Sequence, residues 1–418
     1  MLKIVGDQLI IIASFGLAFA LRILIGHFPN ESPLAFMPNY LIMLLCLCVF
    51  YLFLFWILGY YEGKVRRAVL EEILGVWGVI SLGGVVLLTA MYLRKDLWVS
   101  RGIIFGFWVF ATLGISGLHI LLNKKARAGT AAGQPAVLDR EVPLKNRNVN
   151  LGMIIINKDN LGELKELLNS LKKAEIKCPA EIVVVDNAST DGSRQYLSGQ
   201  KDIRFISNEA NIGYSRGVNQ GLAALKEADY YLILNPDIIV PKGAVESALN
   251  EMEEDRKIGL AGCRLLYPDG FLQYSARTFY SLRTILYRFT PLRGLLVGSS
   301  LEREFLMIDW DHKTSREVDW VLGGCLLARR EAVERVGTMD ERFFMYFDDV
   351  DWCYRMWDKG LKVRFLADAA MIHRHRRKSA NAPFSRETRE HIMSLLYYLC
   401  KYKFRLIPQN SPSRHEAG

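Results

Sequence analysis

Two short runs concentrate the side chains best suited to chemistry. The first is Phe343-Phe344-Met345-Tyr346-Phe347-Asp348-Asp349-Val350-Asp351-Trp352, and the second is Leu234-Asn235-Pro236-Asp237, about a hundred residues earlier. Each sets carboxylates at or beside the end of an apolar segment, where a charge is costly unless a metal or substrate compensates it. Acidic groups so placed can hold a divalent cation against a phosphorylated ligand or take a proton from a hydroxyl. Three further segments carry polar groups at strand ends or helix starts. In Val185-Asp186-Asn187-Ala188-Ser189-Thr190-Asp191-Gly192 a strand runs into a turn, with Ser189 or Thr190 available as helix N-cap. The glycine-rich Asn211 to Gly221 opens a helix and could admit a ligand phosphate to the backbone. Asn157 ends an apolar strand. Taken singly, each is equally compatible with an ordinary turn.

These segments lie on an alternation of elements. Leu151 to Ile156, Glu181 to Asp186, Ile203 to Ser207 and Tyr230 to Leu234 read as strands, while Leu161 to Ala174 and Gly213 to Lys226 have helical spacing. Strands alternating with helices imply a mainly parallel, doubly wound sheet that binds ligands beyond its carboxyl strand ends, where Asn157, Asp186 and Asp237 fall.

Upstream, four apolar stretches occupy about Leu9 to Gly26, Tyr40 to Gly59, Ile73 to Leu93 and Gly102 to Leu122. Each is close to the roughly 20 residues that cross a bilayer as a helix, and none keeps the polar face of a soluble bundle helix. The first reads as a span, not a cleaved leader, since it lacks a strongly basic lead and further spans follow. Lys64, Arg66, Arg67, Lys124, Lys125 and Arg127 outnumber Arg94, Lys95 and Arg101, which puts both ends of the four-span region in the cytoplasm. Arg22 near the end of the first span reads as a snorkelling cation. Expected boundaries are therefore four transmembrane helices over 1–123, a basic linker over 124–148, a catalytic domain over 149–405 and a disordered tail over 406–418.

The chain of 418 residues is 51% hydrophobic with a formal net charge of +9. On a membrane protein that balance points to anionic headgroups; no basic-aromatic stripe indicates nucleic acid. The seven cysteines are scattered without CxxC spacing and read as reduced thiols of a domain facing the cytoplasm.

The order of motifs is more specific than any one of them. Asn157, Asp186-Asn-Ala-Ser-Thr-Asp191, Asn211-x-Gly213 to Asn219-x-Gly221, Asn235-Pro-Asp237, Val318 to Gly324 and Phe344-x-Tyr346-Phe-Asp-Asp349-Val-Asp351 follow one another. In this order they resemble the family-2 inverting glycosyltransferases of GT-A fold, among them the bacterial rhamnosyltransferases that extend lipid-linked polysaccharides. The resemblance covers about Val149 to Tyr402 and implies a doubly wound mixed α/β sheet.

It also implies roles. Asp186 would bind the donor pyrimidine, Asn157 would line the base pocket, and Asn219 would lie beside the nucleotide. Asp237 matches the last residue of the metal motif, whose first position here is the uncharged Asn235. Asp349 matches the catalytic base, and Asp348 stands where the family more often has Glu. His373 matches a histidine that completes the metal site, with His375 the alternative. Gly323-Gly324 would let the acceptor approach, and Trp320 and Trp352 would flank its sugar; a tight turn and two core residues explain the same positions.

The implied reaction is inverting, metal-dependent transfer of a sugar, L-rhamnose from dTDP-rhamnose, to a polyprenyl-diphosphate-linked saccharide, with Mg²⁺ or Mn²⁺ as cofactor. It would take place at the inner membrane, with the lipid itself as a further partner. A UDP-hexose or UDP-galactofuranose donor is the alternative within the class, and a non-catalytic, membrane-anchored sugar-binding module is the alternative outside it. The first third resembles the membrane portion ahead of bacterial polyprenyl-phosphate sugar phosphotransferases, from Lys64 to Glu72 and at Ser100-Arg101. His391 to Arg405 mixes apolar and basic residues, as a segment lying on a membrane or packing on the catalytic domain would.

Overall fold

In a computed structural model of the protein, the described residues are 2–24, 37–57, 75–86, 101–130, 138–146, 148–289, 299–374 and 386–416. They fall into two compact units, residues 1–133 with 282–303, and residues 134–281 with 304–418.

The first unit holds α1 (Leu2–Leu24), α2 (Met37–Ile57), α3 (Gly75–Val86) and α4 (Arg101–Thr130). The runs are apolar and free of interior proline; Pro38 sits in the first turn of α2, where no backbone donor is required. A Cβ on Gly6 would come within 2.5 Å of Leu118, and one on Gly114 within 2.6 Å of Ile10, so both glycines let α1 and α4 pack closely. Between the same helices His119 Nε2 lies 2.9 Å from the buried Asp7 carboxylate, a pairing no sequence pattern announces. Two helices contain segments long and apolar enough to cross a membrane, Ile4–Leu21 and Ile103–Leu121; the apolar Tyr40–Phe55 and Gly75–Val86 are shorter. Lys64, Arg66, Arg67, Arg94, Lys95 and half of the third expected span lie outside the described residues.

The second unit is built on β1 (Leu151–Asn157), α5 (Leu161–Ala174), β2 (Ala180–Asn187), α6 (Ser193–Ser198), β3 (Arg204–Asn208), α7 (Tyr214–Ala224), β4 (Tyr230–Leu234), β5 (Ile238–Ile239) and α8 (Ala244–Glu254). Next come β6 (Ile258–Leu266), β7 (Leu272–Gln273), β8 (Ala276–Arg277), then α9 (Leu282–Phe289) and the start of α10 (Ser300–Phe305), which group with the first unit. The chain ends with β9 (Arg316–Glu317), β10 (Trp320–Val321), β11 (Cys325–Arg329), α11 (Arg330–Val336), α12 (Asp348–Asp358), β12 (Lys362–His373), α13 (Arg386–Lys401) and α14 (Pro412–Glu416).

The main sheet runs β3-β2-β1-β4-β11-β6-β12-β5, with β7 on β6 and β9 on β12; β8 and β10 form a separate ribbon. The first four strands are parallel, as the alternation implies, and β1 and β4 are buried along their whole length, as central parallel strands require. The sheet is mixed because β11 inserts antiparallel between β4 and β6. Leu164, Leu167, Leu168 and Leu171 of α5 lie on one helical face and join the strand residues in the core.

Two boundaries differ from the sequence reading. The helical backbone of α4 continues to Thr130, and residues 138–146 pack on the sheet unit instead of forming a free linker. Leu144 is buried there, Arg140 N–H donates to Lys242 O at 3.0 Å, and Asn250 Nδ2 donates to Pro143 O at 2.9 Å. The tail is ordered through residue 416, because Leu406 and Ser411 are buried and Ser413 N–H donates to Asp319 at 3.1 Å.

Candidate active site

The carboxyl ends of β1, β2, β4 and β12 gather the polar residues. Asn157 and Asp186 are neighbours in register across β1 and β2. Asn157 Nδ2 donates to Asp186 Oδ1 at 2.8 Å, and Ser189 N–H donates to Asp186 Oδ2 at 2.8 Å. Arg194 Nε lies 3.4 Å from the same carboxylate. Asn157 Oδ1 is buried and has no hydrogen-bond partner among the described residues, an acceptor a ligand N–H could satisfy. Neither Ser189 nor Thr190 caps the next helix. That helix begins at Ser193, after Gly192 at φ 92°, with Asp191 accepting Ser193 N–H at 3.1 Å.

The glycines of this stretch serve close packing. A Cβ on Gly221 would meet Ile154 at 2.4 Å, and one on Gly217 would meet Ile156 at 3.2 Å, so α7 lies tightly on β1. Gly213 has φ 90°, and a Cβ there would stand 2.6 Å from Phe344 O, so only glycine lets this turn meet the segment carrying the acidic run. Asn219 spends its amide on that segment as well: Nδ2 donates to Met339 O at 2.9 Å and Oδ1 accepts Met339 N–H at 3.0 Å. It is a clamp between α7 and the 339–347 segment.

At the end of β4, Asn235 N–H donates to Gly324 O at 3.0 Å. His373, paired in register with Ile238, brings Nε2 to 3.2 Å from Asp237 Oδ1, while its Nδ1 is 2.7 Å from Gln273 Oε1. His375 lies outside the described residues. A neutral imidazole that keeps its one proton on Nδ1, toward Gln273, would leave the Nε2 lone pair to share a cation with the Asp237 carboxylate. Two electron-pair donors so disposed suit a cation. Their 3.2 Å separation is near the ~3 Å between adjacent ligands of an octahedral ion with bonds of about 2.1 Å. Asp237 and His373 therefore fit a divalent metal as a pair; no cluster of three or more His, Cys, Asp or Glu suited to a metal occurs among the described residues.

The acidic run starts α12. Tyr346 and Phe347 adopt φ 68° and 61°, a left-handed approach that is rare for non-glycine residues and collects at functional sites. Asp349 Oδ2 accepts Gly323 N–H at 2.9 Å, and Oδ1 accepts Val350 N–H at 2.9 Å. Burial raises the Asp349 carboxyl above its ordinary range. Asp348 is more deeply buried; burial first, then the Asp349 charge, pushes its carboxyl well above the ordinary range, further than that of Asp349.

Gly324 packs on the imidazole, where a Cβ would sit 3.2 Å from His373 Cε1. The Gly323-Gly324 turn thus joins the Asp237–His373 pair to Asp349. Tyr214 donates its hydroxyl to Gly323 O at 3.0 Å, and burial raises its phenol well above the ordinary range.

The two tryptophans are core residues. Trp352 is 0% exposed and donates Nε1–H to Gly337 O at 3.0 Å. Trp320 is 4% exposed, donates Nε1–H to Thr278 O at 2.8 Å and stacks on Tyr280. Neither offers a ring face to a sugar. Tyr214 and Gln273 were missed by sequence reasoning. Tyr214 stood inside a motif read for its glycines, and Gln273, in a two-residue strand, had no local signal.

Residues 153–337 match the family model described as Glycosyl transferase family 2. The N-acetylglucosaminyl-diphospho-decaprenol L-rhamnosyltransferase of Mycobacterium tuberculosis is 29% identical over 250 residues, 56% of this chain and 79% of the relative. Rhamnosyltransferase WbbL of Escherichia coli is 26% identical over 258 residues, 60% of this chain and 92% of the relative. The low-salt glycan biosynthesis hexosyltransferase Agl10 of Haloferax volcanii is 29% identical over 217 residues, 51% of this chain and 64% of the relative. Among solved structures, the mannosyltransferase PcManGT from Pyrobaculum calidifontis, with GDP-Man and Mn²⁺, aligns with TM-score 0.44 at 16% identity, over 71% of this chain and 76% of that chain. The chain is a glycosyltransferase enzyme.

Proposed function

We propose that this enzyme is a membrane-attached, divalent-metal-dependent inverting glycosyltransferase of GT-A fold, moving L-rhamnose from dTDP-rhamnose to a polyprenyl-diphosphate-linked saccharide at the cytoplasmic face. The observation that carries the reading is the Gly323-Gly324 turn, which ties the cation-suited Asp237–His373 pair to the carboxylate of Asp349.

Asp186 and Asn157 bind the pyrimidine, with Asn157 Oδ1 accepting a base N–H. Asp237 and His373 would hold the metal. When bound, the metal offsets the charge that grows on the departing diphosphate. Asp349 takes the proton of the acceptor hydroxyl as that oxygen attacks the anomeric carbon opposite the leaving group, so one displacement inverts the centre. Gly323 fixes the carboxylate that does this through its N–H.

The choice of rhamnose rests on the names of the two rhamnosyltransferase relatives, and that of a polyprenyl-linked acceptor on the name of the mycobacterial one. Membrane attachment by four helices rests on the apolar character of α1 to α4 and on the cation balance of their loops. The spans hold the catalytic domain near its lipid substrate and raise its effective concentration.

The test is transfer of labelled sugar from dTDP-rhamnose, and in parallel from UDP-hexoses, into the lipid fraction of membranes containing wild type or Asp349→Asn, with and without EDTA. Incorporation from dTDP-rhamnose alone that EDTA and the substitution both abolish is the expected result. Incorporation only from a UDP-hexose would replace the donor, and transfer insensitive to EDTA would remove the metal.

A further inference from the structure

Helix α13 has two faces with different occupants. Inward it grips the segment that carries Asp349: Ser394 Oγ donates to Met345 O at 2.9 Å, Tyr397 OH to Asp340 at 2.9 Å, and Tyr402 OH to Asp351 at 2.7 Å. Lys401 reaches both Asp340 and Asp351, and His391 stacks on Tyr346 at 4.5 Å. Outward, Ile392, Met393, Leu396 and Phe404 are 45%, 57%, 50% and 65% exposed, and Cys400 is exposed between them. Positions 392, 396 and 400 recur every fourth residue of α13 and form one stripe, and Phe404 follows in the turn after the helix.

Charge identifies what covers the stripe. Arg389 and Glu390 precede it and offset one another, while Lys403 and Arg405, both exposed, close it with no acid anywhere in residues 391–405. An apolar stripe rimmed by cations suits a surface whose interior is apolar and whose rim is anionic, the boundary of a bilayer with acidic headgroups. The chain carries other apolar helices of membrane-crossing length, so such a surface is within its reach.

We propose that the outward face of α13 and the turn after it seat on the anionic leaflet, with the Asp349 segment on the opposite face of the same helix. A helix is about 10 Å across with its side chains, so the segment that carries the base begins roughly that far from the headgroups, where a lipid-linked saccharide presents its hydroxyls. The contact stands independently of the reaction; its benefit to the acceptor rests on the function proposed above.

The test uses the full chain in nanodiscs of phosphatidylcholine with and without phosphatidylglycerol, carrying an environment-sensitive fluorophore on Cys400, with Cys46, Cys48 and Cys178 changed to Ser. Nitroxide lipids should quench the label, more strongly with phosphatidylglycerol. Ile392→Glu with Leu396→Glu should lower quenching several-fold, and Lys403→Glu with Arg405→Glu should remove only the dependence on anionic lipid. Transfer to a long-chain polyprenyl acceptor should fall several-fold in the first variant, with a short water-soluble acceptor used as by wild type. Equal quenching in wild type and the double Glu variant, or cross-linking of Cys400 to a second copy in place of quenching, would overturn the contact. Quenching as expected with no transfer to either acceptor would support the contact and count against the proposed reaction instead.

Discussion

The backbone N–H of Gly323 and the carboxylate of Asp349 are joined at 2.9 Å, so the small-residue turn and the base move as one piece. The other oxygen is held by Val350 N–H, which leaves the group fixed in direction and raised in basicity by burial.

Asp349→Asn keeps the shape and loses the proton acceptor. Turnover should fall by roughly 10² or more while donor binding is retained, since the base acts only in the transition state. In wild type the rate should rise with pH through a value above the ordinary carboxylate range, because the raised group must be ionised to act. A pH–rate profile with no acid limb in that region would remove Asp349 from the role.

Asp348 should behave differently although it is adjacent. Its folded-state carboxyl is held well above the ordinary value, so its contribution to stability is full below the unfolded pKa of about 3.9 and is lost as pH rises through the folded value. Asp348→Asn mimics the protonated form. The variant should keep turnover within a few-fold and should gain thermal stability over wild type progressively toward alkaline pH. Parallel melting-temperature curves for the two proteins would show that Asp348 is ionised in the fold.

Gln273 should act on the metal only through His373. Gln273→Leu removes the Nδ1 acceptor and should weaken Mn²⁺ binding about tenfold, within the 10–100-fold usual for such partners, whereas Gln273→Glu retains an acceptor and should bind at least as tightly as wild type. Electron paramagnetic resonance titration of free Mn²⁺ in the presence of dTDP reads this without turnover. Equal affinity in all three proteins would leave Gln273 a packing residue; no Mn²⁺ binding by wild type would instead reject the metal site.

The parallel half of the sheet was legible because β1, β2 and β4 are continuous apolar or β-branched runs ending in a polar residue, and that placed Asn157, Asp186 and Asp237 on one edge. The insertion of β11 was not, since its five apolar-rich residues look alike in either direction and their pairing is decided by strands sixty and ninety residues away. Asn219, Trp320 and Trp352 carry side chains able to touch a ligand, and only the fold reveals that each has spent its polar group on a backbone carbonyl. Residues 406–416 lack hydrophobic periodicity, yet Ser413 finds the buried Asp319. Local composition cannot report a partner ninety residues distant.

Asp351 shows how the C-terminal helix supports the active segment. It is fully buried in α12 and accepts Arg355 Nε at 2.9 Å, Tyr402 OH at 2.7 Å and the Lys401 ammonium. Asp351→Asn leaves the two cations without the charge that compensates them, a loss of about 3 kcal/mol for a broken buried pair. Lys401 still reaches Asp340, and Arg355 still donates to Val336 O and Thr338 O, so the fold survives. The expected result is a melting temperature lowered by several degrees, with turnover reduced because α13 no longer holds the Asp349 segment and Mn²⁺ affinity unchanged because Asp237 and His373 lie on other elements. An unchanged melting temperature would mean that packing alone, without the charge, docks α13.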